Sequence, residues 1–225
     1  MNRLSVGAFL ALLLLAASVG SAQVCSGYAS LERAPYQISV SGAFASNSKF
    51  FGAGFTYGSG GPFGTVGVGT TSYNDFNGSS FDIAAGGGWQ VPVDRGRRFQ
   101  LCPTVGIGYM SGPNNISGSG TDYSETNLQA GVSAGVLISS SGPAVVVPVV
   151  SFAIVNATAK LSGGGVSNSK TSTFGEISLG VGLVYFGVAT VQPSVRIPIG
   201  LSGGVTTYGV GLALNFGKSG KAKGT

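Results

Sequence analysis

The chain has 225 residues, a formal net charge of +5, 40 glycines, 43% hydrophobic residues and only 8% charged residues. Soluble domains carry roughly a quarter charged residues, so this chain cannot clothe a water-facing surface in the usual way, and its apolar surplus must fill a large core or face lipid. It has no histidine and seven carboxylates, which excludes Ser-His-Asp hydrolysis and histidine-based zinc sites, and no cofactor is expected.

The N-terminus reads as a secretory signal peptide over 1–22. Arg3 supplies the positive region, 6–17 form a short apolar stretch, and Gly20-Ser21-Ala22 places small residues where cleavage after Ala22 is expected. The apolar stretch is too short for a spanning helix. Ala22-Gln23-Val24 before Cys25 argue against a lipid-modified cysteine. Residues 23–35 are expected to form a periplasmic segment ahead of the first strand.

Beyond that point the chain alternates apolar and small residues in segments of about ten, separated by Gly, Ser, Asn and Pro clusters, which is a strand pattern. Strands are predicted over 36–45, 49–58, 63–73, 79–91, 99–110, 123–139, 144–160, 174–186, 189–199 and 205–216. The expected fold is all-β: a closed antiparallel up-and-down transmembrane barrel over 36–216, with eight strands as the alternative count to ten. An even count returns both ends to the same side, as bacterial outer-membrane barrels require. Pro148 and Pro193 fall in mid-strand and are expected at bulges or near an interface.

The two faces of the strands differ in kind. In the first, Tyr36, Ile38, Val40, Gly42 and Phe44 oppose Gln37, Ser39, Ser41 and Ala43; in the eighth, Ile177, Leu179, Val181, Leu183 and Tyr185 oppose Glu176, Ser178, Gly180 and Gly182. A soluble sandwich would carry charge on its outer face. Here the polar face is small and nearly uncharged, which suits a narrow interior, so the apolar face is assigned to lipid. Aromatic strand ends then form interfacial girdles: Tyr36, Phe44, Phe81, Trp89, Phe99, Tyr109, Tyr185, Tyr208 and Phe216. Asp82, Glu125, Glu176 and Arg196 fall on the inner face. They are expected to form a charge network closing the tube, the alternative being a constriction that selects small solutes.

Loops over 111–122 and 161–173 are long and polar and belong outside the cell, while the connections at 58–62, 140–143 and 187–188 are short and belong in the periplasm. Cys25 and Cys102 both fall on the periplasmic side, Cys102 facing inward. In an oxidising compartment a disulfide is expected, which would tether 23–35 across or into the periplasmic mouth; two unpaired thiols are the alternative. Positive charge collects at Arg95-Gly96-Arg97-Arg98 and in the tail, 217–225, which is expected to be basic and disordered. Neither cluster forms a stripe interleaved with aromatics, so nucleic acid is not an expected partner.

The last strand carries Thr207, Gly209, Leu212, Leu214 and Phe216, a polar residue followed by glycine and alternating hydrophobics closing in an aromatic. On this pattern, over residues 36–216, the chain resembles the small outer-membrane β-barrel family with an OmpA-like or Opacity-like transmembrane domain. The resemblance implies a β-signal at those five residues, insertion by the outer-membrane assembly machinery, and a setting of outer-membrane lipid and lipopolysaccharide. It implies no particular activity. The expected function is that of a non-enzymatic integral outer-membrane protein with a structural or surface-interaction role through its outer loops, toward a ligand the sequence does not name. A narrow ion or small-solute channel is the alternative, and a soluble secreted β-sandwich the second.

Overall fold

The computed structural model describes residues 22–29, 31, 34–74, 78–113, 122–139, 143–163 and 166–217. The signal peptide, the basic tail from 218 and most of the 111–122 loop lie outside them.

Ten strands form one closed antiparallel ring. They are β1 (Tyr36–Phe44), β2 (Ser48–Gly58), β3 (Pro62–Tyr73), β4 (Ser79–Trp89), β5 (Phe99–Ser111), β6 (Asp122–Val136), β7 (Ala144–Gly163), β8 (Val166–Tyr185), β9 (Ala189–Ile199) and β10 (Thr207–Phe216). Each pairs with its chain neighbours, and β10 closes on β1 from Phe216↔Tyr36 to Tyr208↔Phe44. Closure removes the free edges that lipid would leave unsatisfied. Followed once round the ring, the registers climb by about 12 residues, which tilts the strands roughly 40° from the barrel axis. A nine-residue strand such as β1 then rises roughly 20 Å, close to the height of a membrane's apolar band.

The alternation resolves as the composition demands. Ile38, Val66, Ile83, Val105, Ile154 and Leu212 are exposed on the outer wall. Tyr36 gathers Tyr57, Phe216 and Phe55 at ring-centroid distances of 5.3, 5.7 and 6.1 Å, at the end that carries both termini. That end is the periplasmic one for a barrel of this kind. Trp89, Phe99 and Tyr185 lie at the same end, and Phe44, Phe81, Tyr109 and Tyr208 at the other. Phe51 and Tyr57 of β2 are exposed on the same outer wall, opposite Gly42 and Tyr36 of β1. Among the described residues no helix is long and apolar enough to cross a membrane.

Prolines interrupt the wall in one consistent way. A proline has no N–H to donate, so a ladder fails on the side its nitrogen faces. The β4–β5 ladder stops at Gly88↔Thr104 and resumes, through the short strand Val91–Pro92, at Val91↔Leu101, leaving Pro103 out. The β6–β7 ladder stops at Gly135↔Val149 and resumes at Ile138↔Val146 across Pro148; Leu137 N donates instead to Arg98 O at 2.7 Å. The β8–β9 ladder skips from Gly180↔Ser194 to Leu183↔Val191 across Pro193. On its other side each proline keeps its pairing, to Val132, Val181 and Val210.

Residues 161–173 are not a loop: β7 and β8 continue as a hairpin to Gly163↔Val166. Their polarity marks a sheet that has left the membrane and is wetted on both faces, not an irregular segment. Cross-strand hydrogen bonds join Thr158 to Thr171 at 3.0 Å and Asn156 to Thr173 at 2.8 Å.

Candidate functional site: a stoppered lumen

Among the described residues, the cluster of buried hydrophobic side chains lies inside the tube, at its periplasmic end. Residues 22–29, with Leu31, Ala34 and Pro35, enter the mouth there. Ala22–Gln23 pairs with Tyr28–Ala29, and Val24–Ser26 makes a single 3-10 turn between them. Val24, Cys25, Ala29 and Leu31 are fully buried. Val24 and Ala29 pack with Val147 and Val184 of the wall, flanked by Leu137, Val145 and Val149. In a membrane barrel the outer face is already solvated by lipid, so a water-excluded core can form only around something placed inside.

The wall is shaped for this insert. The Val24 carbonyl passes over Gly135 and the Gly27 carbonyl over Gly182, so close that a Cβ at either glycine would occupy the same space. Gly27 itself takes φ +71°, a left-handed turn that favours glycine. Gln192 Nε2 donates to Ser26 O at 2.9 Å, and Asn215 Nδ2 to Ala29 O at 3.2 Å; Gln37 Nε2 in turn donates to Asn215 Oδ1 at 2.9 Å. Gly58 N bonds Pro35 O at 3.0 Å, where the insert hands over to β1. Cys25 and Cys102 are joined in a disulfide with a Cα–Cα distance of 5.7 Å. Residues 22–29 with Leu31 and Ala34 are therefore a stopper tied to the wall. Burial holds the Tyr28 phenol of this stopper above its usual range.

Sequence reasoning singled out Cys25 and Cys102 but not Gln37, Gln192 or Asn215. Their signal was available: each is a large polar residue among small ones at an inward position near the periplasmic end, and Gln37 and Asn215 are almost wholly buried.

The four inward charges do not assemble into one network. Arg196 Nε meets Glu176 Oε1 at 3.3 Å, with the arginine side chain 62% exposed to the lumen. Asp82 accepts from Thr71 Oγ1 at 3.1 Å, and Glu125 from the Tyr123 hydroxyl at 2.5 Å. The tube is thus blocked by polypeptide at one end and not by charges across its middle. Beyond the stopper the lumen stays open space, in two lobes of about 530 and 590 Å3 that share Ser41, Phe50 and Arg196.

A second feature lies at the opposite end. Pairing of β8 with β9 begins only at Gly175↔Ile199. Over 166–174, β8 is paired to β7 and, among the described residues, has no strand on its other side. With the outer part of β6, which pairs β7 up to Asp122↔Ser162, this makes a raised three-stranded sheet. At the periplasmic turn after β4, Phe99 N donates to Asp94 Oδ1 at 2.7 Å and, with neighbouring amides, holds that exposed carboxyl below its usual range.

A closed ring with apolar residues outward, small polar residues inward and both ends on one side defines a transmembrane β-barrel of the outer-membrane class. Comparison with solved structures agrees on the fold. The chain is similar to the β domain of the Bordetella autotransporter BrkA (13% identity, TM-score 0.50, covering 82% of this chain and 100% of that one). It also matches Ail, the attachment invasion locus protein of Yersinia pestis (13%, TM-score 0.43, 82% and 99%), and Neisserial surface protein A (15%, TM-score 0.42, 81% and 97%). No family model and no curated protein sequence matches the chain.

Proposed function

We propose that the protein is a non-enzymatic integral protein of the outer membrane that acts at the cell surface through the raised sheet of β6, β7 and β8. The observation that carries this reading is the unpaired side of β8 over 166–174. An edge strand offers a row of free backbone donors and acceptors, the template on which an extended partner segment adds as a further strand. Between Val166 and Phe174 its residues are Ser, Asn, Thr and the exposed Lys170. They keep the edge soluble and oppose its pairing with a second copy, which would bring like charges together. The barrel serves as anchor. The residues of β10 from Thr207 to Phe216 supply the signal for the assembly machinery, and Lys49, outward at the external end beside Phe44, suits the phosphates of lipopolysaccharide.

The stopper weighs against the channel alternative, because it fills the mouth through which a solute would leave. The lack of histidine and the scarcity of carboxylates support a non-enzymatic role. The test is a variant in which 161–168 are replaced by a short turn, displayed on cells beside the intact protein. Loss of attachment to other cells or coated surfaces, with heat-modifiable gel mobility retained, is the expected result. Unchanged attachment, or ion conductance by the intact protein in planar bilayers, refutes the reading.

A further inference from the structure

We propose that the lumen above the stopper is a binding cup for a neutral oligosaccharide. The inference is independent of the raised sheet, since it concerns the inside of the tube.

The cup has a floor and a built wall. Cys25, Ser26 and Tyr28 of the stopper line the lower lobe. Each lobe lies within the roughly 300–1,000 Å3 range of small-ligand sites, and their junction at Phe50 and Arg196 makes one elongated space. Across four adjacent strand pairings runs an unbroken inward row, Ser133↔Ser151↔Ser178↔Arg196↔Thr207. Neighbouring strands lie about 4.8 Å apart, so these groups repeat at a spacing that a chain of sugar hydroxyls can follow. Hydroxyls donate and accept, which matches a ligand that does both.

Charge and apolar surface narrow the class. Glu176 neutralises Arg196 within the cup, and Asp82 is held by Thr71. A polyanion would need unpaired cations, and the one lining cation, Arg196, is paired with Glu176; Asp82 is the single carboxylate on the lining and accepts from Thr71, so neither sign of charge dominates the cup. Opposite the hydroxyl row, the Phe50 ring lies against Gly52 and Gly69, packed so closely that a Cβ at either would strike it. The ring is thereby laid along the wall and bounds both lobes. A pyranose has an apolar C–H face and a hydroxyl rim, and this arrangement offers an aromatic surface to the one and a row of hydroxyls to the other.

The test uses the full barrel, refolded in a zwitterionic detergent that carries no sugar, with glucose, maltose and maltotriose as probes followed by titration calorimetry and saturation-transfer NMR. Saturable binding is expected for maltose or maltotriose, weakened about tenfold or more in Phe50→Ala by loss of the stacking surface, and abolished in Ser178→Leu, which fills the cup. The variant with 161–168 replaced should bind unchanged. Phe50→Leu serves as second variant if Ser178→Leu does not show the heat-modifiable mobility of a folded barrel. No saturable binding of any of the three sugars, or binding that persists undiminished in the lumen variants, overturns the proposal.

Discussion

Cys25→Ser cuts the one covalent tie between the stopper and the wall, and its effect can be worked from the structure. Ordering the roughly eleven residues of 24–34 costs about 1 kcal/mol or somewhat more each. Against this stand complete burial of Val24, Ala29 and Leu31, together about 5 kcal/mol. The hydrogen bonds to Ser26, Ala29 and Ala34 contribute about 1 kcal/mol each. With the barrel folded, the disulfide closes only the loop from Cys25 to β1, about ten residues, and contributes about 3 kcal/mol in the chain-entropy account. Gains and cost nearly cancel, so the tie decides the outcome. Its loss should raise the ratio of open to closed stopper roughly 100-fold. In the folded variant Cys102, freed of its partner, should then react with a hydrophilic maleimide, and planar bilayers should show small conductance steps where the parent protein is silent. A folded Cys25→Ser barrel whose Cys102 resists labelling and which does not conduct would show that packing alone holds the stopper, and the reasoning would fail.

Gly182→Val places side-chain atoms where the Gly27 carbonyl runs; overpacking of this kind costs about 1–3 kcal/mol, so the variant should show a larger fraction of free Cys25 and Cys102, read as the mass shift on alkylation without reductant, whereas full disulfide formation would contradict the contact. Arg196→Ala removes a half-exposed ion pair worth at most about 1 kcal/mol after screening. It should leave bilayers silent, since the stopper and not the pair closes the tube; steps in this variant would restore the charge-network reading. Asp94 is held below the ordinary carboxylate range chiefly by the Phe99 amide. Its contribution is therefore present above that range and lost as pH falls through its lowered value. The Phe99 amide should lose hydrogen-exchange protection in that acid window and in Asp94→Asn at neutral pH, and protection unchanged in both would dismiss the contact.

How much was legible followed from which physical constraint acted. Period-two alternation is imposed by the pleat, and lipid on one side with a narrow tube on the other keeps it clean through β1, β4 and β10, so all ten strands could be placed to within a few residues of the membrane region. The same alternation loses contrast where both faces meet water, and the outer parts of β7 and β8 consequently read as a loop. Cys102 could be assigned to the inner wall by parity. The seat of the stopper could not: Gly135 and Gly182 look like any other lumen glycines, and only the path of the chain shows that one lies under Val24 and the other under Gly27. Parity assigns the four charges to the inner face, but sequence gives no register across distant strands, so it could not show that Glu176 meets Arg196 while Asp82 and Glu125 bond to hydroxyls. Pro148 and Pro193 were recognisable as ladder breakers; that both flank Val181 needed the pairing.

The account turns on which surface of the tube meets lipid, and nitroxide labels read this directly. Single cysteines at Val68 and Leu212, outside, and at Gly67 and Ala213, inside, would be introduced with Cys25 and Cys102 replaced by serine, and the labelled barrels reconstituted in phospholipid bilayers. Oxygen, which concentrates in lipid, should relax the labels at 68 and 212, while a water-soluble nickel chelate should reach 67 more than either. Labels at 68 and 212 that respond to the chelate and not to oxygen would place those side chains in water and contradict the assignment.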